Sequence, residues 1–331
     1  MKADLHVHSY HSGYASQLPW LRSRECYSNP DEVYRTAKAR GMDLVCLTDH
    51  DTLDGCLEFL DRRPGASDFI MGEEIECRVP DAAGLRVHLG ALGMTETIHR
   101  DIQPLRSDVF EAAAYLRQQG VLFSINHLFF FFRGQMPSAR YVADLLSVAP
   151  AVEVRNGAMS AAHNGLIAEL VEASRAASGA APVVTAGSDA HTLQWVGTTY
   201  TSAPGTTREE FLASLRAGRG VAGGHHGGIW RATSEIYGVI FRFWLSLLGL
   251  VRQDLPGGRR LVSGLASLAL MPVQFVPAVV ALELKRSEAR RVERARAELT
   301  AGSSSIVTRP PRSALGRPAT SVAEDDGIGR P

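Results

Sequence analysis

Short apolar runs alternate with amphipathic stretches from the first residue to about residue 225. Asp43 to Thr48 (DLVCLT) reads as a buried strand, preceded by a helix over Asp31 to Arg40 that Gly41 closes as a C-terminal cap. Further strands are predicted at Phe69 to Met71, Val87 to Leu92, Val121 to Ile125, Val152 to Val154 and Val183 to Ala186. Helices are predicted at Val109 to Gln118, Ala139 to Leu146 and Gly165 to Ala176. Strands that alternate with helices imply an α/β layer or barrel around a mostly parallel sheet, with its site built from polar residues just past the strand C-termini.

Beyond Gly228 the pattern changes. Ile236 to Val251 is apolar apart from Arg242, and Leu261 to Leu282 holds no charged residue, a length sufficient to cross a bilayer. Pro272 and Pro277 interrupt that run, and both of its flanks are basic, which conflicts with the positive-inside rule for a two-span hairpin. The expectation is a helical extension packed on the barrel, with in-plane contact to an anionic membrane surface through 236–299 as the alternative. A basic helix follows from Lys285 to Leu299, and the Ser-, Pro-, Gly- and Arg-rich end reads as disordered. The resulting division is 1–225 for the chemistry-bearing domain, 229–299 for the extension and 300–331 for the tail.

Composition narrows this picture only slightly. In 331 residues, 45% hydrophobic and 21% charged content suffices for a sizeable core, and a formal net charge of zero gives no global signal for nucleic acid. Recognition of a phosphate must then come from local charge or bound metal. Four cysteines without a CxxC spacing predict reduced thiols in a cytoplasmic protein rather than a zinc ribbon or disulfide framework. No apolar segment follows Met1-Lys2-Ala3-Asp4, so a cleaved signal peptide is not expected. Peripheral attachment to the inner face of the membrane is the variant that the extension leaves open.

The candidate chemistry sits beside the apolar runs. His6-Val7-His8 places two imidazoles on one face of a strand. Thr48-Asp49-His50-Asp51, Gly72-Glu73-Glu74-Ile75, His88, His127 and Gly187-Ser188-Asp189-Ala190-His191 follow in order. Burying so many histidines and carboxylates together without a cation would cost several kcal/mol per unpaired group. Mixed imidazole and carboxylate ligands suit zinc, manganese or iron.

The ordered set DLHVH, LTDHDT, GEEIE, VHLGALG, INH and GSDAH resembles the PHP (polymerase and histidinol phosphatase) superfamily over roughly residues 3–225. The resemblance implies a distorted seven-stranded (β/α) barrel, TIM-barrel-like, with up to three divalent metals at its mouth. It implies His6, His8, Glu74 and Asp189 as ligands of one metal and His50 and His191 of a second. Glu74, His88 and His127 would hold a third, with Glu74 preferred to Glu73 and bridging. One position departs from the pattern: Gly13 stands where an acid is usual, and His11 is the candidate to take its place, the alternative being a polar loop histidine.

The activity implied is hydrolysis of a phosphate ester by a metal-activated water, on a phosphorylated small molecule, a nucleotide or a nucleic-acid end. Arg24, Arg133 and Arg155 are placed to meet phosphoryl oxygens, and Asp49 to orient His50 or a metal water. Asn126, Glu153 and Asn156 read as polar support, His99 as exposed, His163 as a helix cap and Gly223 to Gly228 as a linker. Two other classes remain: an amidohydrolase-like C–N hydrolase, and a non-catalytic metal-holding sensor or adaptor with a degenerate site. Asp189-x-His191 and the lack of a strand-borne metal-bridging lysine candidate in the first 200 residues weigh against the former; Gly13 sustains the latter.

Overall fold

In the computed structural model, which describes residues 1–15, 23–80, 85–130, 139–178, 182–251, 257–269 and 277–301, the apolar runs become the wall of a barrel. Strands β1 (Lys2–Asp4), β2 (Leu44–Leu47) and β3 (Phe69–Arg78) pair in parallel. Strand β4 (Arg86–Leu92) runs antiparallel to both β3 and β5 (Leu122–Asn126). The segment between β3 and β4 is too short for a crossover of roughly a dozen residues, so reversal is the only connection available. Strands β6 (Ala151–Asn156) and β7 (Val183–Gly187) restore parallel pairing.

The seven strands close where β7 meets β1. Asp189 N donates to His6 O at 2.6 Å and His8 N to Ala190 O at 3.1 Å. A Cβ on Gly187 would lie 2.3 Å from His6 Cβ, so only glycine permits this approach. An antiparallel pair, β8 (Thr199–Ser202) and β9 (Val221–Gly224), extends the sheet to nine strands through the pairing of β8 with the first residues of β1. The architecture is therefore an α/β barrel whose reversed β4 is its distortion.

Helices α1 (Pro30–Ala39), α2 (Asp54–Arg62), α3 (Glu96–Ile102), α4 (Val109–Gln118), α5 (Ala139–Val148), α6 (Ala161–Ser178) and α7 (Arg208–Arg216) follow in chain order. Asn29 starts α1 with a capping box to Glu32. All seven wall strands contribute to one apolar layer: Ala3, Leu44, Ile70, Leu92, Leu122, Ala151 and Val183 pack together with Phe211 and Leu215 of α7. That layer plugs one end of the barrel, which leaves the polar strand ends to form a mouth at the other.

The extension forms α8 (Ile229–Leu247), α9 (Gly257–Ala269) and α10 (Pro277–Ala301). It is not a loose appendage. Val292, Ala295 and Leu299 of α10 enter the main core with Leu166, Ile167 and Val171 of α6. Lys285 donates to the Ala158 carbonyl at 2.7 Å, and Glu288 accepts from Ser160 N at 2.6 Å. Trp230, Phe241, Leu261 and Leu265 remain exposed on α8 and α9. No helix among the described residues is long and apolar enough to cross a membrane. Pro272 and the tail from 302 onward lie outside the described residues.

Helix α6 begins four residues earlier than expected, which moves His163 from the cap into the first turn. Ser160 is the cap, accepting from His163 N at 3.2 Å. His163 itself is buried between Phe129 and Glu288, and that burial pushes its pKa down to about 4. The unfolded chain therefore takes up a proton between pH 6.5 and 4 that the folded chain refuses. Roughly 3 kcal/mol of stability, complete above pH 6.5, is lost as pH falls through that window. Denaturant titrations at pH 7.5 and 4.5 should show the wild type losing more stability than His163→Gln by an amount of this order; equal losses would refute the assignment.

Candidate metal centre

The mouth is built from six separate stretches. His6 and His8 follow β1, His50 follows β2, Glu74 lies within β3, and His127 follows β5. Asp189 and His191 follow β7. His88 arrives by a different route: because β4 is reversed, its beginning rather than its end reaches the mouth, where His88 pairs with Glu76 and Asn126.

Glu74 is the centre of this arrangement. Its side chain is fully buried, with Oε1 3.1 Å from His6 Nε2, His88 Nδ1 and His127 Nε2, and Oε2 3.1 Å from His50 Nδ1 and 3.5 Å from His8 Nε2. Asn126 Nδ2 donates to Oε1 at 3.0 Å. Glu73 points elsewhere, to His99 Nδ1 at 2.9 Å and to Gln103, so the alternation along β3 separates the two glutamates. His99 is thereby half-buried and engaged, not exposed as expected.

Hydrogen bonds behind the cluster fix which imidazole nitrogens face inward. Glu153 Oε1 is 2.9 Å from His6 Nδ1; an acceptor-only carboxylate there requires Nδ1–H, so Nε2 is the nitrogen directed into the mouth. For His8 the reasoning runs through one proton. Ser12 Oγ donates to Asp49 Oδ1 at 2.7 Å, so at 3.0 Å it can only accept from His8 Nδ1–H, which leaves His8 Nε2 bare. That nitrogen lies 3.3 Å from Asp189 Oδ1. Asp49 also accepts from Ser9 N and Ser9 Oγ, and through Ser12 it holds the His8 ring and, at 3.4 Å, the His50 amide. Asn156 steadies Asp189 Oδ2 at 3.1 Å and Glu153 Oε2 at 2.9 Å.

The charges respond as a coupled cluster. Burial would raise Glu74 and Asp189, but the surrounding imidazoles, His6 foremost, hold both well below the usual carboxylate range. Burial alone would lower His6, yet Glu74, Asp189 and Glu153 hold it well above the usual imidazole value. His8 is driven well below it, by burial and then by His191 and His50. Asp51, His127 and Asp189, the three non-glycine residues with positive φ among those described, are all at this mouth. Backbone strain of this kind collects at functional sites.

A divalent cation fits these residues. Buried His6 Nε2, His8 Nε2 and Glu74 Oε2 make no hydrogen bond among the described residues. Each such orphan costs about 1–3 kcal/mol unless something else occupies its lone pair. Four sets of potential ligand atoms lie within 4.8 Å of one another: His8–His50–His191, His6–His8–Glu74, His6–His127–Asp189 and His50–Glu74–His88. Glu74 belongs to two of the four sets. His127 groups with His6 and Asp189, and its Nε2 also lies 3.1 Å from Glu74 Oε1, the partner that the resemblance gave it.

Other expected residues lie elsewhere. His11 does not join any of these sets: its Nε2 meets Glu58 Oε2 of α2 at 2.8 Å, drawn there by a carboxylate that also accepts from Tyr10. Arg155 does not turn to the ligands but donates to the Gly224 carbonyl at 3.1 Å, because the bulge in β6 directs it towards β9. Arg24 donates to the Tyr10 carbonyl and lies over the Tyr14 ring at 5.3 Å. Arg133 lies outside the described residues. The Gly223 to Gly228 stretch is no linker: Thr198 O accepts from His225 N at 3.1 Å, His226 Nδ1 meets Asn164 at 2.9 Å, and Gly227 N donates to Met159 O at 2.7 Å.

Three residues were missed. Arg231 of α8 is buried and donates from Nη2 to the carbonyls of Ser188 and Asp189, with its guanidinium 5.1 Å from the Trp195 ring centre. Glu235, one turn on, accepts from His191 N at 2.8 Å. Arg231 and Glu235 form an i,i+4 pair at the start of an apolar helix, a signal that periodicity alone hides. Glu25, which like His11 joins none of the four sets, brings its Oε2 to 3.4 Å from His50 Nε2.

Comparison with known proteins bears on the same residues. Residues 172–219, which carry Asp189 and His191, match the PHP-associated family model. An uncharacterized protein of Methanocaldococcus jannaschii is 33% identical over 87 residues, which are 26% of this chain; the match spans about half of that relative's length (50%). Among solved structures, PsfC of Pseudomonas syringae is similar with a TM-score of 0.47 and 18% identity, covering 76% of this chain and 98% of that one. A two-domain protein of Bacteroides vulgatus containing a predicted PHP-like metal-dependent phosphoesterase gives 0.45 and 16%, covering 68% and 65%. An amidohydrolase of Chromobacterium violaceum gives 0.45 and 18%, covering 66% and 97%. The matched segment carries the last of the six motifs, and the order of all six around the barrel agrees with the resemblance of the sequence to the PHP superfamily.

Proposed function

We propose that the chain is a metal-dependent hydrolase of phosphate esters, acting on a phosphomonoester, a nucleotide or a nucleic-acid end with two or three manganese, zinc or iron ions. The observation that carries this reading is Glu74, a buried carboxylate whose two oxygens lie within 3.5 Å of five imidazoles. Divalent ions held there would supply Lewis acidity towards phosphoryl oxygens and lower the pKa of a water towards neutrality.

The described groups around the cluster favour water as the nucleophile. All four cysteines are buried, and burial pushes the Cys26 thiol up to about 12, so no thiolate is available. Ser9 and Ser12 are already committed to Asp49. The chain has three lysines. Lys2 sits by the Tyr200 ring, Lys38 pairs with Asp68 and Lys285 with Glu288, so none bridges the cluster as a C–N hydrolase of the amidohydrolase kind would use. Glu153 and the Asp49–Ser12 relay keep His6 and His8 in the tautomers that present Nε2, and Asn126 and Asn156 hold the carboxylates in place.

The test is a panel of p-nitrophenyl phosphate, bis-p-nitrophenyl phosphate, nucleotides and C–N substrates. Turnover of at least one phosphate ester is expected, removed by chelator and restored by manganese. Cleavage confined to C–N substrates would replace this reading with the amidohydrolase one. Bound metal without any turnover would leave a sensor or adaptor.

A further inference from the structure

The position that departs from the motif has a counterpart in the segment that resumes at Ser23. Gly13 adopts φ 91°, a backbone region closed to an acidic side chain at low cost, so the usual ligand cannot simply be restored there. Residues 13–15 and 23–25 pair antiparallel: Tyr14 bridges Arg24, Ala15 N donates to Ser23 O at 2.8 Å, and Glu25 N donates to Gly13 O at 3.2 Å. Glu25 thus stands directly opposite Gly13, with its carboxylate 3.4 Å from His50 Nε2.

We propose that Glu25 is the carboxylate ligand of the metal site formed by His8, His50 and His191, filling from the facing strand the role that Gly13 vacates. His8 stacks between the other two imidazoles, with ring centres 4.4 Å from His50 and 4.3 Å from His191. Three neutral imidazoles leave a dication's charge unbalanced, and one carboxylate offsets half of it. Two ligand atoms each 2.0–2.1 Å from one tetrahedral ion lie about 3.3 Å apart, close to the observed separation of Glu25 and His50. His11, the other candidate, is held away from this set by Glu58. Histidine and carboxylate together suit zinc, manganese or iron.

This rests on reading the mouth as a metal centre but not on the reaction performed there, so its test uses no substrate. Full-length protein is stripped with chelator, dialysed against zinc and analysed for zinc per chain, with cobalt absorbance as a second measure of affinity. Glu25→Gln should bind one ion fewer than wild type, or bind its weakest ion at least about 100-fold less tightly. His11→Ala should match wild type. Unchanged stoichiometry and affinity in Glu25→Gln, or loss of the ion in His11→Ala instead, would overturn the proposal. Anomalous scattering from zinc-soaked wild-type crystals gives a check free of folding effects. It should place an ion within bonding distance of Glu25 Oε2; an ion bound to His8, His50 and His191 without Glu25 would also overturn it. Phosphoester turnover can fail while these results hold, and the reverse.

Discussion

Glu74→Gln should reduce phosphoester turnover by about 10³-fold or more while leaving the fold intact. The substitution preserves shape but removes the one negative charge that faces His6, His8, His50, His88 and His127 together. Shared ligation by a single carboxylate means that more than one ion loses a partner at once. Lewis-acid stabilisation of this kind is worth several kcal/mol, and roughly 4 kcal/mol corresponds to that loss of rate. Metal content should fall in parallel. A variant with normal turnover and normal metal content would remove Glu74 from the centre of the account. Glu73→Gln is the control: Glu73 faces His99 and Gln103, so turnover should change little.

The second large effect lies outside the barrel. Arg231→Met should lower the melting temperature by roughly 10 °C, because breaking a buried charged pair costs about 3–5 kcal/mol. It should also lower turnover about 10- to 100-fold, the usual consequence of disturbing groups that hold metal ligands in place. The guanidinium ties α8 to the carbonyls of Ser188 and Asp189, and its partner Glu235 holds the amide of His191. Removing Arg231 leaves Glu235 without the cation beside it and frees the Asp189 loop, whose positive φ needs that support. Differential scanning calorimetry and steady-state kinetics on the same preparation check both parts. Wild-type values for each would show that the extension merely lies beside the site.

That dependence on α8 marks where the sequence was least informative. The wall strands were legible because each is a short apolar run bounded by turn residues, and the motifs were legible because they abut those runs. Glu74 could be chosen over Glu73 only through the family pattern; the structure supplies the reason in the two-residue alternation of β3. The reversal of β4 was hidden, since an apolar run carries no direction, and so His88 reached the mouth from the opposite end of its strand. Contacts across long sequence separations were also hidden. Nothing in the spacing of Arg231, Glu235 or Glu25 points to His191 or His50, and nothing near His11 predicts its capture by Glu58. An apolar run beyond Gly228 invites a membrane reading, yet α8 and α10 place their few buried polar groups on barrel partners.

The central claim is that the residues converging on Glu74 hold divalent ions that drive phosphoester hydrolysis. Its most direct test measures bound metal and released inorganic phosphate on one sample during stepwise reconstitution of chelator-stripped protein with manganese. Phosphate release that rises with bound metal in wild type, and stays near zero in Glu74→Gln, is the predicted result. Release that is independent of bound metal, or full metal occupancy with no release from any phosphate ester, would contradict it.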